Sequence, residues 1–370
     1  MRRYDAPMSL SFPLTRSTQL RSADELAAIH ANPGFGDYFT DHMAVATWTT
    51  DGGWAGDGVV PYAPFVLDPA AAVLHYGQEI FEGIKAFRHA DGSVWEFRPE
   101  ANAARFNESA TRLVLPQLPV EDFVNACVKA VEVDARWVPE AKDGEEKSLY
   151  IRPFAFASEV FLGVRAALTV QFAVICSPVG PYFSGGVQGV DIWVTDKYSR
   201  AGVGGTGAAK CGGNYASSLI AQYEGYDHGC PQVMFIEASA KDRVEELGGM
   251  NVAVITADGE LVTPELTGTI LDGVTRRSIL AIAPDFGLTP VERRLTPDEV
   301  FGGIESGRVI EAFSCGTAAV LTPIASFKSE QGTYRLPSPA GEHTMALRNR
   351  ILDIQYGRVE DSHGWLTRVC

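Results

Sequence analysis

Residues 202–215 read GVGGTGAAKCGGNY, and the interpretation of the whole chain turns on them. Six of the first twelve are glycine, and one lysine, Lys210, stands between two glycine groups. Gly202, Gly204 and Gly207 satisfy G-x-G-x-x-G, the spacing of a dinucleotide-binding turn. Such a turn follows its strand at once and opens a helix. Here Lys197-Tyr198-Ser199-Arg200 intervene after the strand expected at 190–195, and a lysine with a second glycine pair stands where the helix should run. The phosphate-loop pattern fails too, because Gly207 is followed by Ala208-Ala209-Lys210-Cys211 rather than Lys-[Ser/Thr]. A lysine that forms a Schiff base needs an uncharged amine at working pH, which desolvation or a neighbouring positive charge provides. Flanking glycines keep the backbone thin enough for a flat aromatic cofactor. Taken alone, the segment fits a cofactor lysine and a flexible loop with a solvated lysine equally well.

Strand and helix signals alternate on both sides of this segment. Met43 to Thr50, Ser93 to Phe97 and Thr169 to Cys176 read as strands, the last rich in β-branched and aromatic residues. Pro99 to Leu115 reads as a helix, with Ala103, Phe106, Ala110, Leu113 and Val114 at roughly helical spacing, and Val120 to Trp137 as a second. Beyond them, 190–195, 233–237 and 251–256 read as strands, with helices near 216–224, 275–283 and 297–306. Ser177 to Gly189 holds two prolines and four glycines, the strongest linker signal in the chain. The expectation is therefore a mixed α/β protein of two domains, 1–177 and 190–370, joined by an interdomain loop at 178–189. A length of 370 residues agrees, at ~100–200 residues per domain.

Composition removes several classes of function. With 46% hydrophobic and 21% charged residues the chain is that of a globular protein. A net charge of -15 speaks against general nucleic-acid affinity, which needs basic surface. No run approaches the ~18–20 apolar residues of a membrane span. Asp5, Pro7, Pro13 and Arg16 interrupt any leader-like apolar core, so no signal peptide is expected. Cysteines 127, 176, 211, 230, 315 and 370 form no C-x-x-C pair and read as reduced thiols of a cytoplasmic protein. The seven histidines show no metal-ligand spacing, so no metal is expected.

Lys210-Cys211-Gly212-Gly213-Asn214-Tyr215 resembles the K-x-G-G-N-Y signature of branched-chain amino acid aminotransferases, the fold-type IV group of pyridoxal-phosphate enzymes. Five further stretches look like blocks of that family, in its order: Gly34–Met43, His75–Phe87, Tyr150-Ile151-Arg152-Pro153, Glu246–Asn251 and Ser314–Ala318. The resemblance implies a two-domain architecture like that of D-amino acid aminotransferase, with a smaller N-terminal domain and a larger cofactor-binding one. It implies that Lys210 forms the Schiff base and moves the proton, that Glu246 accepts a hydrogen bond from the pyridine nitrogen, and that Tyr215 meets the phenolic oxygen. Arg105, Gly273-Val274-Thr275 and Thr317 are implied for the phosphate. Phe35, Tyr76, Phe81, Tyr150 and Tyr182 are implied for the apolar pocket, and Arg152 for the side-chain carboxylate of glutamate. Tyr76 and the Ala318 N–H would meet the substrate carboxylate.

The implied reaction is a ping-pong transfer of the amino group of leucine, isoleucine or valine to 2-oxoglutarate, in a homodimer. D-amino acid aminotransferase and aminodeoxychorismate lyase share the fold and are the rival readings. Two departures stand out. Gly249 replaces the threonine of mammalian relatives, which removes a hydroxyl from the substrate-carboxylate side. Ala318-Ala319-Val320-Leu321 follows Thr317 where those relatives carry C-x-x-C, so no redox switch is expected, and Cys315 reads as a small packing residue.

Overall fold

The structure, a computed structural model, describes residues 9–142, 144–181, 187–237, 239–338 and 340–370. Tyr182 and part of the expected interdomain loop lie outside them. Two compact units separate, Met1–Tyr182 with Ile354–Cys370 and Phe183–Asp353. Among the described residues, each unit combines helices with one sheet, so both are mixed α and β.

The sheet of the first unit runs in the order Leu366–Arg368, Val94–Phe97, Ile84–Arg88, Ser148–Ala157, Thr169–Val179, His42–Thr49 and Gly53–Pro61, with Glu79–Phe81 beside Ser148–Ala157. Its named pairings are all antiparallel. Helices Pro99–Leu113 and Val120–Val133 bury their apolar residues against it, and the rings of Phe106, Phe123 and Phe172 meet at 5.1 to 6.1 Å. In Ser148–Ala157, Leu149, Ile151 and Ala155 are buried while Tyr150, Arg152 and Phe154 are half-buried. The period of two therefore puts Tyr150 and Arg152 on one face.

Three expectations shift. The strand expected to end at Cys176 continues to Val179 along Ser148–Ala157, so the first residues of the supposed linker belong to the sheet. The second helix ends at Val133, and a 3₁₀ turn takes Ala135–Trp137. Asp134 sits at the break and accepts from His42 N at 2.8 Å and pairs with its Nδ1 at 3.0 Å. Residues 354–370, expected with the second half, join the first unit instead. Leu366–Arg368 pairs with Val94–Phe97, and Tyr356 packs its ring on Phe87. So short a strand is defined by its partner, which local sequence does not reveal.

The sheet of the second unit is ordered Val244–Leu247, Gln232–Ile236, Val190–Thr195, Val320–Ser329, Val309–Gly316, Asn251–Thr256, Glu260–Pro264 and Thr289–Arg293, with Gly332–Arg335 beside Val320–Ser329. Val190–Thr195 and Gln232–Ile236 are parallel neighbours, and the helix Gly212–Asp227 connects them. The glycine-rich segment is thus the strand-to-helix connection of a crossover unit.

That segment is packed rather than loose. Gly207 lies so close to the backbone of Thr269 that a Cβ would overlap its carbonyl, and Ala208 N donates to Gly268 O at 3.1 Å. Gly207→Ala is expected to cost about 1–3 kcal/mol of stability, the usual toll of overpacking. Gly213→Ala, whose Cβ would meet nothing within 4 Å, should be neutral or slightly stabilising. Urea unfolding of the two variants checks the contrast, and equal midpoints would refute the packing account.

Candidate active site

In the second unit Lys210 immediately precedes the helix Gly212–Asp227, whose first turn carries Tyr215. Lys210 Nζ donates to the Tyr215 hydroxyl at 2.8 Å. Asn214, between them in sequence, holds the preceding turn. Its Nδ2 donates to Thr206 O and Ala209 O, both at 2.8 Å, and its Oδ1 accepts from Thr206 Oγ1 at 2.7 Å. The lysine is therefore held by a pinned turn just before the helix. Asn214 lies within the K-x-G-G-N-Y block, yet composition and spacing assign it no task.

Glu246 sits in the strand Val244–Leu247 and is only 2% exposed. Its Oε1 is 2.9 Å from the guanidinium of buried Arg200 and accepts from Leu271 N at 2.9 Å, while Oε2 accepts from Asn251 Nδ2 at 3.2 Å. Burial pushes the Glu246 carboxyl above the usual range. The Arg200 guanidinium, the Leu271 N–H and the Lys210 ammonium draw it back, and Glu245 adds to the rise. Arg200 reads in sequence as a residue of the intervening tetrapeptide. Only folding brings it to Glu246, 46 positions on.

Asn251 ties the next elements to this pair. Its Nδ2 also donates to Leu271 O at 2.9 Å, and its Oδ1 stands where a Cβ on Gly273 would have to go. Gly273 caps the helix Val274–Ile282, and no side chain caps that end. Its first N–H groups at Val274 and Thr275, with the helix dipole, could therefore receive an anion. Arg276 and Arg277 are directed elsewhere, Arg276 to Glu292 at 2.6 Å and Arg277 toward Asp272 at 3.7 Å. Asn251 pairs with Cys315, and a Cβ on Gly316 would press on Met250 at 3.3 Å. The turn holding Thr317 and Ala318, both half-buried, thus lies beside Gly249–Asn251. At Gly249 a Cβ would meet the Tyr215 ring at 3.4 Å, so the missing side chain leaves room against that ring. Buried Cys315 has its thiol pushed up to about 12 by desolvation, which suits a packing residue.

The first unit gathers a second cluster. Phe35 and Tyr150 hold their rings 5.5 Å apart, and Arg152 Nη2 donates to the Tyr150 hydroxyl at 3.2 Å. The Arg152 guanidinium lies 4.8 Å over the Phe81 ring, and its Nε donates to Glu82 O at 3.0 Å. Gly83 lets the Tyr150 hydroxyl approach, since a Cβ there would overlap it. Arg105, on Pro99–Leu113, gives its Nε–Nη2 edge to Glu82, with two contacts of 2.8 Å. Tyr76, at the end of the short helix Ala72–Tyr76, donates its hydroxyl to Leu162 O and is not joined to the others by any described contact. Tyr182 lies outside the described residues. Glu82 and Gly83 carried no assignment in sequence, although both fall within the His75–Phe87 block.

A family model described as amino-transferase class IV matches residues 79–327, and the chain belongs to that class. The branched-chain-amino-acid aminotransferase of Mycolicibacterium smegmatis is 48% identical over 364 residues, 97% of this chain and 98% of its own length. A probable branched-chain-amino-acid aminotransferase of Streptomyces coelicolor is 51% identical over 346 residues, 93% and 95% of the two chains. Within the class, therefore, the chain belongs to the branched-chain-amino-acid aminotransferase family. Among solved structures, the branched-chain aminotransferase of Thermoproteus uzoniensis with norvaline superposes with a TM-score of 0.72 at 27% identity, covering 88% of this chain and all of that one. The T.th. branched-chain amino acid aminotransferase with pyridoxamine 5'-phosphate gives 0.71 at 26% identity, over 88% and 99%.

Proposed function

We propose that this chain uses pyridoxal 5'-phosphate, held at Lys210, to move the amino group of leucine, isoleucine or valine to 2-oxoglutarate. The observation that carries the reading is Lys210 Nζ at 2.8 Å from Tyr215, within electrostatic reach of the buried Glu246–Arg200 pair. The residues suit the cofactor chemically: an amine, a phenol hydroxyl beside it, a buried acid, and a helix terminus without a side-chain cap. When bound, pyridoxal phosphate supplies the electron sink that lets the α-proton of an amino acid depart.

Lys210 Nζ would take that proton from the substrate's α-carbon and deliver it to the cofactor rather than back to the substrate, as amino transfer requires. Tyr215 would steady the amine, and Glu246 would accept a hydrogen bond from the pyridine nitrogen. Gly273, Val274, Thr275, Thr317 and Arg105 serve the phosphate. Phe35, Phe81 and Tyr150 would form the apolar wall, and Tyr76 and Ala318 would meet the substrate carboxylate, with Gly249 leaving space beside Tyr215. Arg152 receives the γ-carboxylate of glutamate and tolerates apolar chains, because its guanidinium stacks on Phe81 and Tyr150. A homodimer in the cytoplasm completes the reading. The free cysteines at 127, 176, 211, 230 and 315, all buried, accord with a reducing compartment.

Purified protein should be yellow, and borohydride should fix the cofactor to Lys210 in a peptide map. A panel of leucine, isoleucine, valine, D-alanine and aromatic amino acids with 2-oxoglutarate should favour the branched chains by at least about tenfold. Preference for D-alanine would restore the D-amino acid aminotransferase rival. Release of pyruvate from aminodeoxychorismate would restore the lyase. A colourless protein that takes up no pyridoxal phosphate would remove the proposal altogether.

A further inference from the structure

Glu82 is fully buried and fully bonded. Its Oε1 accepts from Arg105 Nε and its Oε2 from Arg105 Nη2, both at 2.8 Å. Oε2 also accepts from Asn102 Nδ2 at 2.7 Å and from Gly83 N at 3.2 Å. Asn102 and Arg105 are three residues apart on Pro99–Leu113, so they share a helix face. The carboxylate is thus locked from the helix and from its own chain, and it locks the guanidinium in turn. The same residue makes a second, independent contact, since its backbone carbonyl accepts from Arg152 Nε at 3.0 Å.

We infer that Glu82 is a positioning residue with two separable functions: its side chain orients Arg105 for the cofactor phosphate, and its backbone carbonyl orients Arg152 for the γ-carboxylate of glutamate. The first function rests on the phosphate reading of Arg105. A planar guanidinium gives phosphate two parallel hydrogen bonds only when one of its edges faces the anion, and burial without its partner would be costly. With one edge fixed by Glu82, the plane of the fork is set before any anion arrives. The side chain and the carbonyl belong to different bonds, so a side-chain substitution should disturb the first function and spare the second.

Glu82→Gln, Arg105→Gln and the double variant test this. Each is reconstituted with pyridoxal phosphate, and cofactor affinity is read by absorbance and fluorescence titration without turnover. KM for 2-oxoglutarate and for 4-methyl-2-oxopentanoate is measured alongside. Arg105→Gln should weaken the cofactor, Glu82→Gln should weaken it on the order of tenfold, as loss of a supporting partner does, and the double variant should match Arg105→Gln. The ratio of the two KM values should stay within about twofold of the parent's in Glu82→Gln.

The double variant removes both buried charges together, so it remains informative if a single variant folds poorly. Unchanged cofactor affinity in Arg105→Gln would overturn the phosphate reading and this inference with it. Weakening by Arg105→Gln but not by Glu82→Gln would overturn the inference alone. So would a double variant much weaker than Arg105→Gln, or a KM ratio that moves together with cofactor affinity, since either marks Glu82 as ordinary packing.

Discussion

Lys210→Ala should lower transamination by at least about 10⁴-fold, the upper end of what a positioned proton shuttle contributes, while the circular dichroism spectrum stays that of the parent. Under the proposed function two roles leave with one side chain, the covalent hold on the cofactor and the base that moves the α-proton. The architecture around it does not depend on the amine. The preceding turn is fixed by Asn214 bonding Thr206 and Ala209, and the following helix connects two paired parallel strands. The bound cofactor should then absorb as the free aldehyde. Single-turnover measurements with leucine decide the matter. Turnover within a hundredfold of the parent would strip Lys210 of its role, whatever the colour of the protein.

Glu96→Gln should stabilise the first unit by several kcal/mol at pH 8.5 and by little at pH 5. Glu96 lies mid-strand in Val94–Phe97, opposite Ala86 and Thr367, and is 0% exposed. Neither carboxylate oxygen has a hydrogen-bond partner among the described residues. Burial, with a smaller push from Glu100, raises its carboxyl from 4.5 to about 8. The folded state thus keeps a proton that the unfolded chain releases near pH 4.5. Folding stability consequently falls as pH rises from there to about 8 and is level beyond. At about 1.4 kcal/mol per pH unit the full loss is on the order of 4–5 kcal/mol. Glutamine cannot ionise, so the gap between variant and parent should open over that window. Urea unfolding followed by tryptophan fluorescence at the two pH values reads it. A gap that is the same at both would show that Glu96 is not protonated in the folded protein.

The alternation of elements was legible because it follows local rules. The β-branched run at 169–176, the helical spacing after Pro99 and the turn chemistry around the glycines all act within a few residues. The strands at 190–195 and 251–256 lie where the periodicity puts them, with helices at Gly212–Asp227 and Val274–Ile282. Lys210 and Tyr215 share a short segment, so their contact follows once the helix start is known. The block of residues from Lys210 to Tyr215 therefore contained both the proposed attachment point and its first neighbour.

Other features exist only through contacts between distant segments. Arg200 and Glu246 form a buried pair across 46 positions, Glu82 meets Arg105 across 23, and neither acid carries a local mark of burial. A glutamate in an isolated sequence is by default solvated, and its partner is chosen by sheet order and helix placement. The same holds for Glu96, whose absence of partners is as non-local as the pairings of the others. The return of residues 354–370 to the first unit is decided by Val94–Phe97, an edge waiting for a strand. Lys210 in its glycine frame announced the chemistry, because steric room and an amine are properties of a short stretch. Under the proposed function, what makes that amine a site is the desolvated acid and the pinned turn of its own unit, and these arise only when that unit has assembled its sheet.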